Sequence, residues 1–167
     1  SSNWATGYDF PALKQGRVKK LEIGHDIPTG YQAFFFNTRR DIFSAIQVRE
    51  AIGLMFDYEW LNRAIFFNAY ARNHSYFPNT ELASNGSPSA EELALLAPYK
   101  EQLPAALFEG PYLPPVTDGK GTLRKQQRKA LRLLKEADWQ IKNNQMVNKN
   151  GQPLVFEVLF DQPSFDQ

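Results

Sequence analysis

An α/β fold, a mixed sheet flanked by helices, is what this chain predicts. Three observations carry it: apolar runs at 31–36 and 154–160 read as strands, the long stretch between them has helical periodicity, and an Asn-Gly pair sits between two apolar runs just before the second strand. Strands separated by helical excursions, with one local hairpin, assemble into a mixed sheet with helices on its faces.

Residues 1–29 scatter Trp4, Tyr8, Phe10, Val18, Leu21 and Ile23 among Gly, Pro and Lys, which predicts a short helix or turn and a strand leading into the sheet. Residues 31–36 are aromatic-rich and bounded by Gly30 and Asn37, the pattern of a strand buried on both faces. Beyond the polar turn Asn37-Thr38-Arg39-Arg40-Asp41, the residues Val48, Ala51, Ile52, Met55 and Phe56 recur at the spacing of one helical face. Asp57 is placed to cap a second helix, because its carboxylate can accept from the free backbone N–H groups that follow, and Leu61, Ala64 and Ile65 continue an apolar stripe.

A Ser/Asn/Gly/Pro-rich loop at 84–89 leads to Ser89-Ala90-Glu91-Glu92, a capping box that opens a helix toward Tyr99. Pro and Gly crowd 104–122 and predict an ordered but irregular connection. Thr122 is the expected cap of a helix reaching Trp139. On it Leu123, Gln127, Ala130, Leu131 and Leu134 share one side, while Arg124, Lys125, Arg128, Lys129, Arg132 and Lys135 cover the rest. Asn150-Gly151, which tolerates positive φ, is the predicted hairpin turn before the strand at 154–160.

Composition narrows the function. Nineteen Lys and Arg against eighteen Asp and Glu give a net charge of +1, so nothing draws the chain as a whole to nucleic acid or anionic membranes. Zero cysteines exclude disulfides and thiol catalysis. No apolar run approaches the roughly 20 residues that span a bilayer. The 167 residues suffice for one core, and a chain starting at Ser1 without Met reads as an excised piece.

No phosphate loop, nucleophile elbow or His-Glu-x-x-His helix occurs, no enzyme class is indicated and no cofactor is implied. His25 and His74 are far apart, and Glu22, His25 and Asp26 lack a fourth metal ligand, so a capping role suits a lone histidine better. The basic helix at 122–139 allows an alternative, a nucleic-acid-binding or enzymatic small domain, with Trp139 stacking on a base. The apolar stripe beneath it and the acidic Glu136 and Asp138 favour a solvated helix on the surface of a larger fold.

Several of these segments also carry a family resemblance. A strand ending Phe36-Asn37-Thr38, then Ile46-Gln47-Val48-Arg49-Glu50-Ala51-Ile52, then Phe56-Asp57-Tyr58-Glu59-Trp60-Leu61-Asn62, resembles the extracellular solute-binding proteins, family 5, of oligopeptide ABC importers. Asn37-Thr38-Arg39-Arg40 and the run from Ser75 to Ala83 most resemble the branch linked to uptake of microcin C and related peptides. Residues 3–11 resemble the passage into the second lobe, and 130–139 the helix before a hairpin.

The resemblance implies that residues 1–167 are a partial, C-terminal lobe of a two-lobed periplasmic binding protein, which captures an oligopeptide and delivers it to a membrane permease. Candidate ligand contacts are Trp4 and Tyr8 as sequence-tolerant aromatic walls, Asn37 and Arg39 in the turn after the strand, and Gln162, Ser164 and Phe165 in the loop that contacts the ligand terminus in relatives. That loop lacks Arg, which argues against carboxylate capture there. Arg39 and Arg40 offer bidentate pairing to a carboxylate, or a structural tie through Asp41 and Glu50. Self-association of an excised lobe, through surface its partner lobe would cover, is a further expectation.

Overall fold

A computed structural model describes residues 2–84 and 86–160. In chain order the helices are α1 (Ser2–Thr6), α2 (Pro11–Lys14), α3 (Ile46–Gly53), α4 (Tyr58–Ala64), α5 (Ala90–Leu96), α6 (Ala106–Glu109) and α7 (Arg124–Glu136). Strands β1 (Gln140–Lys142) and β2 (Gln145–Val147) follow, and short 3-10 turns occupy Asp41–Phe43 and Ala97–Gln102. The residues group into two compact units: one takes 2–34 with Asp57–Thr122, the other 35–56 with 123–160.

The second unit holds the buried apolar core. Val48, Ala51 and Leu54 of α3 and its C-terminal end pack on Ala130 and Leu134 of α7 and on Trp139, with Leu133, Ala137, Met146 and Leu154 partly buried around them. The buried seam of α7 thus runs through Ala130, Leu133, Leu134 and Ala137, rotated from the predicted one: Leu131 is 45% exposed. Met55 and Phe56 are also exposed, because α3 ends at Gly53 and the helical spacing stops placing side chains on the core face.

Local signals hold where the bonds are local. Asp57 accepts from the Trp60 N–H at 3.1 Å and caps α4. Ser89 and Glu92 form the reciprocal capping box of α5, with bonds of 3.2 and 2.6 Å. The N-cap of α7 is Leu123, one residue beyond the expected Thr122, and it has no side-chain cap; its carbonyl accepts from Gln127 N–H at 2.7 Å. The helix stops at Glu136, where the Ala137 N–H is shared between the Leu133 and Leu134 carbonyls and Asp138 turns to φ +61.

The expected mixed sheet is the main correction. Among the described residues the ladder is a two-stranded antiparallel hairpin, β1 with β2, pairing Gln140 with Val147 and Lys142 with Gln145. Its turn is Asn143-Asn144, both at positive φ (51 and 60), the left-handed pair of a two-residue hairpin turn. The Asn150-Gly151 loop makes the next reversal: Leu154 N–H donates to the Met146 carbonyl at 2.8 Å, and Val147 bridges Pro153. Residues 31–36 and 154–160 carry no regular ladder, and Phe34 and Phe35 are 65% and 71% exposed rather than covered on both faces. Such runs become strands only where a partner edge lies alongside, which apolarity alone does not supply.

Candidate functional site

In the first unit α1 presents Trp4 to Tyr8, ring centroids 5.4 Å apart and nearly edge-to-face, with Phe10 6.1 Å beyond Tyr8. Lys20 closes the cluster. Its ammonium donates to the Trp4 carbonyl at 2.6 Å and sits 4.4 Å and 5.4 Å from the Trp4 and Tyr8 ring centres, within the range of cation–π attraction. Trp4 Nε1 donates to Glu22 at 3.2 Å. The two predicted aromatic contacts are therefore brought together on an accessible surface, Tyr8 being 40% exposed. No spacing rule marks Lys20 in the sequence, because its partners lie 12 and 16 positions away.

Also within this unit, a polar clasp fixes residues 115–121 against α4. Thr117 N–H donates to Glu59 Oε2 at 2.9 Å, its hydroxyl proton is shared between Asp57 Oδ1 and Glu59 Oε2, and its oxygen accepts from Gly119 N–H at 3.0 Å. Arg72 donates to the Pro115 carbonyl, lies 3.8 Å from Glu59 and stacks 5.2 Å above the Tyr58 ring. Burial pushes the Tyr58 phenol above its ordinary pKa; the Arg72 charge opposes this and the Glu59 charge adds to it. Asp57 Oδ2 and the Tyr58 hydroxyl are buried beside it without a hydrogen-bond partner among the described residues, while the other polar groups of the clasp bond one another as a structural fastening.

In the second unit Asn37 and Arg39 also meet, though as a turn. Asn37 Oδ1 accepts from the Arg39 N–H at 3.2 Å and from its guanidinium at 3.4 Å. Arg40 pairs with Glu157 at 2.7 Å instead of the expected Asp41 or Glu50, and both partners are exposed. Near this turn Phe43 is buried between Phe36 and Phe156, at 5.2 and 5.5 Å. Gln162, Ser164 and Phe165 lie outside the described residues. His25 accepts through Nδ1 from Ile27 N–H at 3.2 Å, and no cluster of three or more metal-ligating side chains occurs among the described residues.

The α3 face and the start of α4, with Asp57 and Glu59 of the clasp, reside in the segments that carry the family resemblance, whereas Arg72 and Thr117 lie outside them. The family model for bacterial extracellular solute-binding proteins, family 5 (middle region), matches residues 2–166. The chain belongs to this family. Three family relatives are similar along nearly all of it: the uncharacterized protein YejA of Escherichia coli K12, 44% identical over 100% of this chain; the "peptidoglycan-binding protein YepA" of Agrobacterium fabrum, 40% identical over 98%; and the "probable peptide-binding protein YejA" of the same species, 40% identical over 100%. These alignments take in 28%, 27% and 28% of the relatives' own lengths, so the chain spans about a quarter of the proteins it matches. Family 5 members are extracellular solute-binding proteins. No described helix is long and apolar enough to cross a membrane.

Proposed function

We propose that this chain is part of the second lobe of a two-lobed periplasmic receptor that captures oligopeptides and hands them to the permease of an ABC importer, without catalysis. The observation that carries the reading is the family match over residues 2–166, and the peptide-binding and peptidoglycan-binding names of two relatives support peptide-like solutes as the class of ligand. Trp4 and Tyr8 give the ligand flat, amphipathic contact surface that accepts many side chains. Asn37 and Arg39 contribute by holding the turn, and Gln162, Ser164 and Phe165 by lining the ligand terminus. Closure of two lobes supplies the remaining contacts, and ligand binding offsets the free energy of the closed state.

Calorimetric titration of mixed tri- to pentapeptides tests this. A receptor containing this segment with its flanking lobes binds at about micromolar Kd or tighter, whereas residues 1–167 alone do not. Micromolar binding by the isolated segment would overturn the shared-cleft reading, and no binding by the larger receptor would overturn peptide capture.

A further inference from the structure

We propose that Asn150 is a site of spontaneous deamidation and that Asn148 is the residue that restrains it. In Asn150-Gly151 the residue after the asparagine has no side chain, so its backbone nitrogen meets no steric barrier on the way to the Asn150 amide carbon. Both residues are exposed, and among the described residues the Asn150 side chain has no hydrogen-bond partner. The reaction needs these two residues, base and water. Base removes the Gly151 amide proton, the nitrogen forms a bond to Asn150 Cγ, and the Cγ–Nδ2 bond breaks, the side-chain amide leaving as ammonia with a proton returned from solvent. Water then opens the cyclic imide. Attack at the side-chain carbonyl gives aspartate, and attack at the main-chain carbonyl gives isoaspartate.

The fold holds the attacking nitrogen back. Gly151 N–H donates to the Asn148 carbonyl at 2.9 Å and closes a four-residue turn, with Gly151 at φ +78. The Asn148 side chain fastens the same turn: its Oδ1 accepts from Asn150 N–H at 3.0 Å and from Gln152 N–H at 2.9 Å, and its Nδ2 donates to Gln152 Oε1 at 2.9 Å. Asn148 N–H donates to the Gln152 carbonyl, also at 2.9 Å. The nitrogen attacks only when its bond to Asn148 is broken and the Asn150 backbone is free to turn, and every bond that Asn148 makes opposes that opening. Isoaspartate would insert an extra main-chain carbon into the loop that returns Leu154 N–H to the Met146 carbonyl at 2.8 Å and bridges Val147 to Pro153. Leu154 and Met146 are packed against the buried core, so the lesion strikes the anchorage of the hairpin. The inference is independent of peptide capture, since every group in it lies within residues 146–154.

The test uses the full-length protein that contains this segment, incubated at mildly alkaline pH and sampled by peptide mapping with mass spectrometry, aspartate and isoaspartate being separated by chromatography. Asn150 is expected to lose its amide at least about tenfold more slowly in the folded protein than in urea. Asn148→Ala should raise the folded-state rate about tenfold or more, whereas Asn148→Asp, which keeps the acceptor for both N–H groups, should stay within about threefold of the unaltered protein. Asn85-Gly86, the other Asn-Gly pair of the 167-residue sequence, is the internal reference, and Asn148→Ala leaves its rate unchanged. Should Asn148→Ala fail to fold, hydrogen exchange of the Gly151 N–H in the unaltered protein replaces it and must be about tenfold or more slower than in the denatured chain. Equal rates in the folded and denatured protein, or no deamidation of Asn150 in either, overturn the proposal. So do an Asn148→Ala rate equal to that of the unaltered protein, an Asn148→Asp rate as high as that of Asn148→Ala, and a parallel acceleration at Asn85, which marks general unfolding.

Discussion

Leu131 and Leu134 lie three residues apart on α7 and differ in burial, 45% against 8% exposed, so truncating each to Ala tests where the helix meets its core. Leu→Ala removes three carbons, and at about 0.8 kcal/mol per buried methylene the transfer loss at Leu134 is about 2.4 kcal/mol. A cavity against Val48, Ala51 and Trp139 adds to this, though an adjoining groove lets the site relax, so the expected total is about 3 kcal/mol. At Leu131 about half the side chain is already in water and no cavity forms, giving about 1 kcal/mol. Urea unfolding followed by Trp139 fluorescence, in a Trp4→Phe, Trp60→Phe background, isolates the second unit. Similar m-values would show that stability alone has changed. Equal losses at the two positions, or a larger one at Leu131, would refute the seam through Ala130, Leu133 and Leu134.

Three further outcomes follow from the clasp of the first unit. Thr117→Val deletes the hydroxyl shared by Asp57, Glu59 and Gly119 and is expected to cost about 1–3 kcal/mol, with Thr117→Ser recovering most of it, measured by Trp60 fluorescence in urea. Gly121→Ala places a Cβ 3.1 Å from the Trp60 ring at φ +74, so a loss of about 1–3 kcal/mol by the same assay is expected, and a neutral result would show that the loop lies elsewhere. Tyr58 holds its proton more tightly when folded, so above about pH 10 the unfolded state ionises first and stability falls as pH rises, until the folded phenol ionises too. The difference between the unaltered chain and Tyr58→Phe should show that slope and be flat below it; a slope of opposite sign would contradict burial as the dominant cause.

What the sequence discloses here depends on how far apart the interacting groups lie. The Asp57 cap, the Ser89–Glu92 box and the α3 and α7 helices are each decided within about four residues, the range over which helix rules operate, and all four are present. The runs 31–36 and 154–160 look like strands because their residues suit a pleated surface, but a ladder needs a second edge that composition does not specify. Asn143-Asn144 is a weaker turn signal than Asn150-Gly151, although Asn also tolerates the left-handed region. At the candidate site, Trp4 and Tyr8 are named through the family resemblance and their rings meet at 5.4 Å, whereas no pattern marks Lys20, and Arg40 takes a partner 117 residues away that no local pattern indicates.

The Thr117 clasp has a consequence for how the chain folds. The helices α3 and α7 must find each other across the whole run Asp57–Thr122, and closing so long a loop is an entropic barrier that grows with the logarithm of its length. Thr117 bonds Asp57 and Glu59, and Gly121 rests on Trp60, so the two ends of that run are fastened to each other within their own unit. Once fastened, the effective loop is about ten residues, nearly three doublings shorter, which lowers the closure cost by roughly 1.5–2 kcal/mol. A hydroxyl on an irregular connection thereby shortens the loop whose closure brings α3 and α7 together.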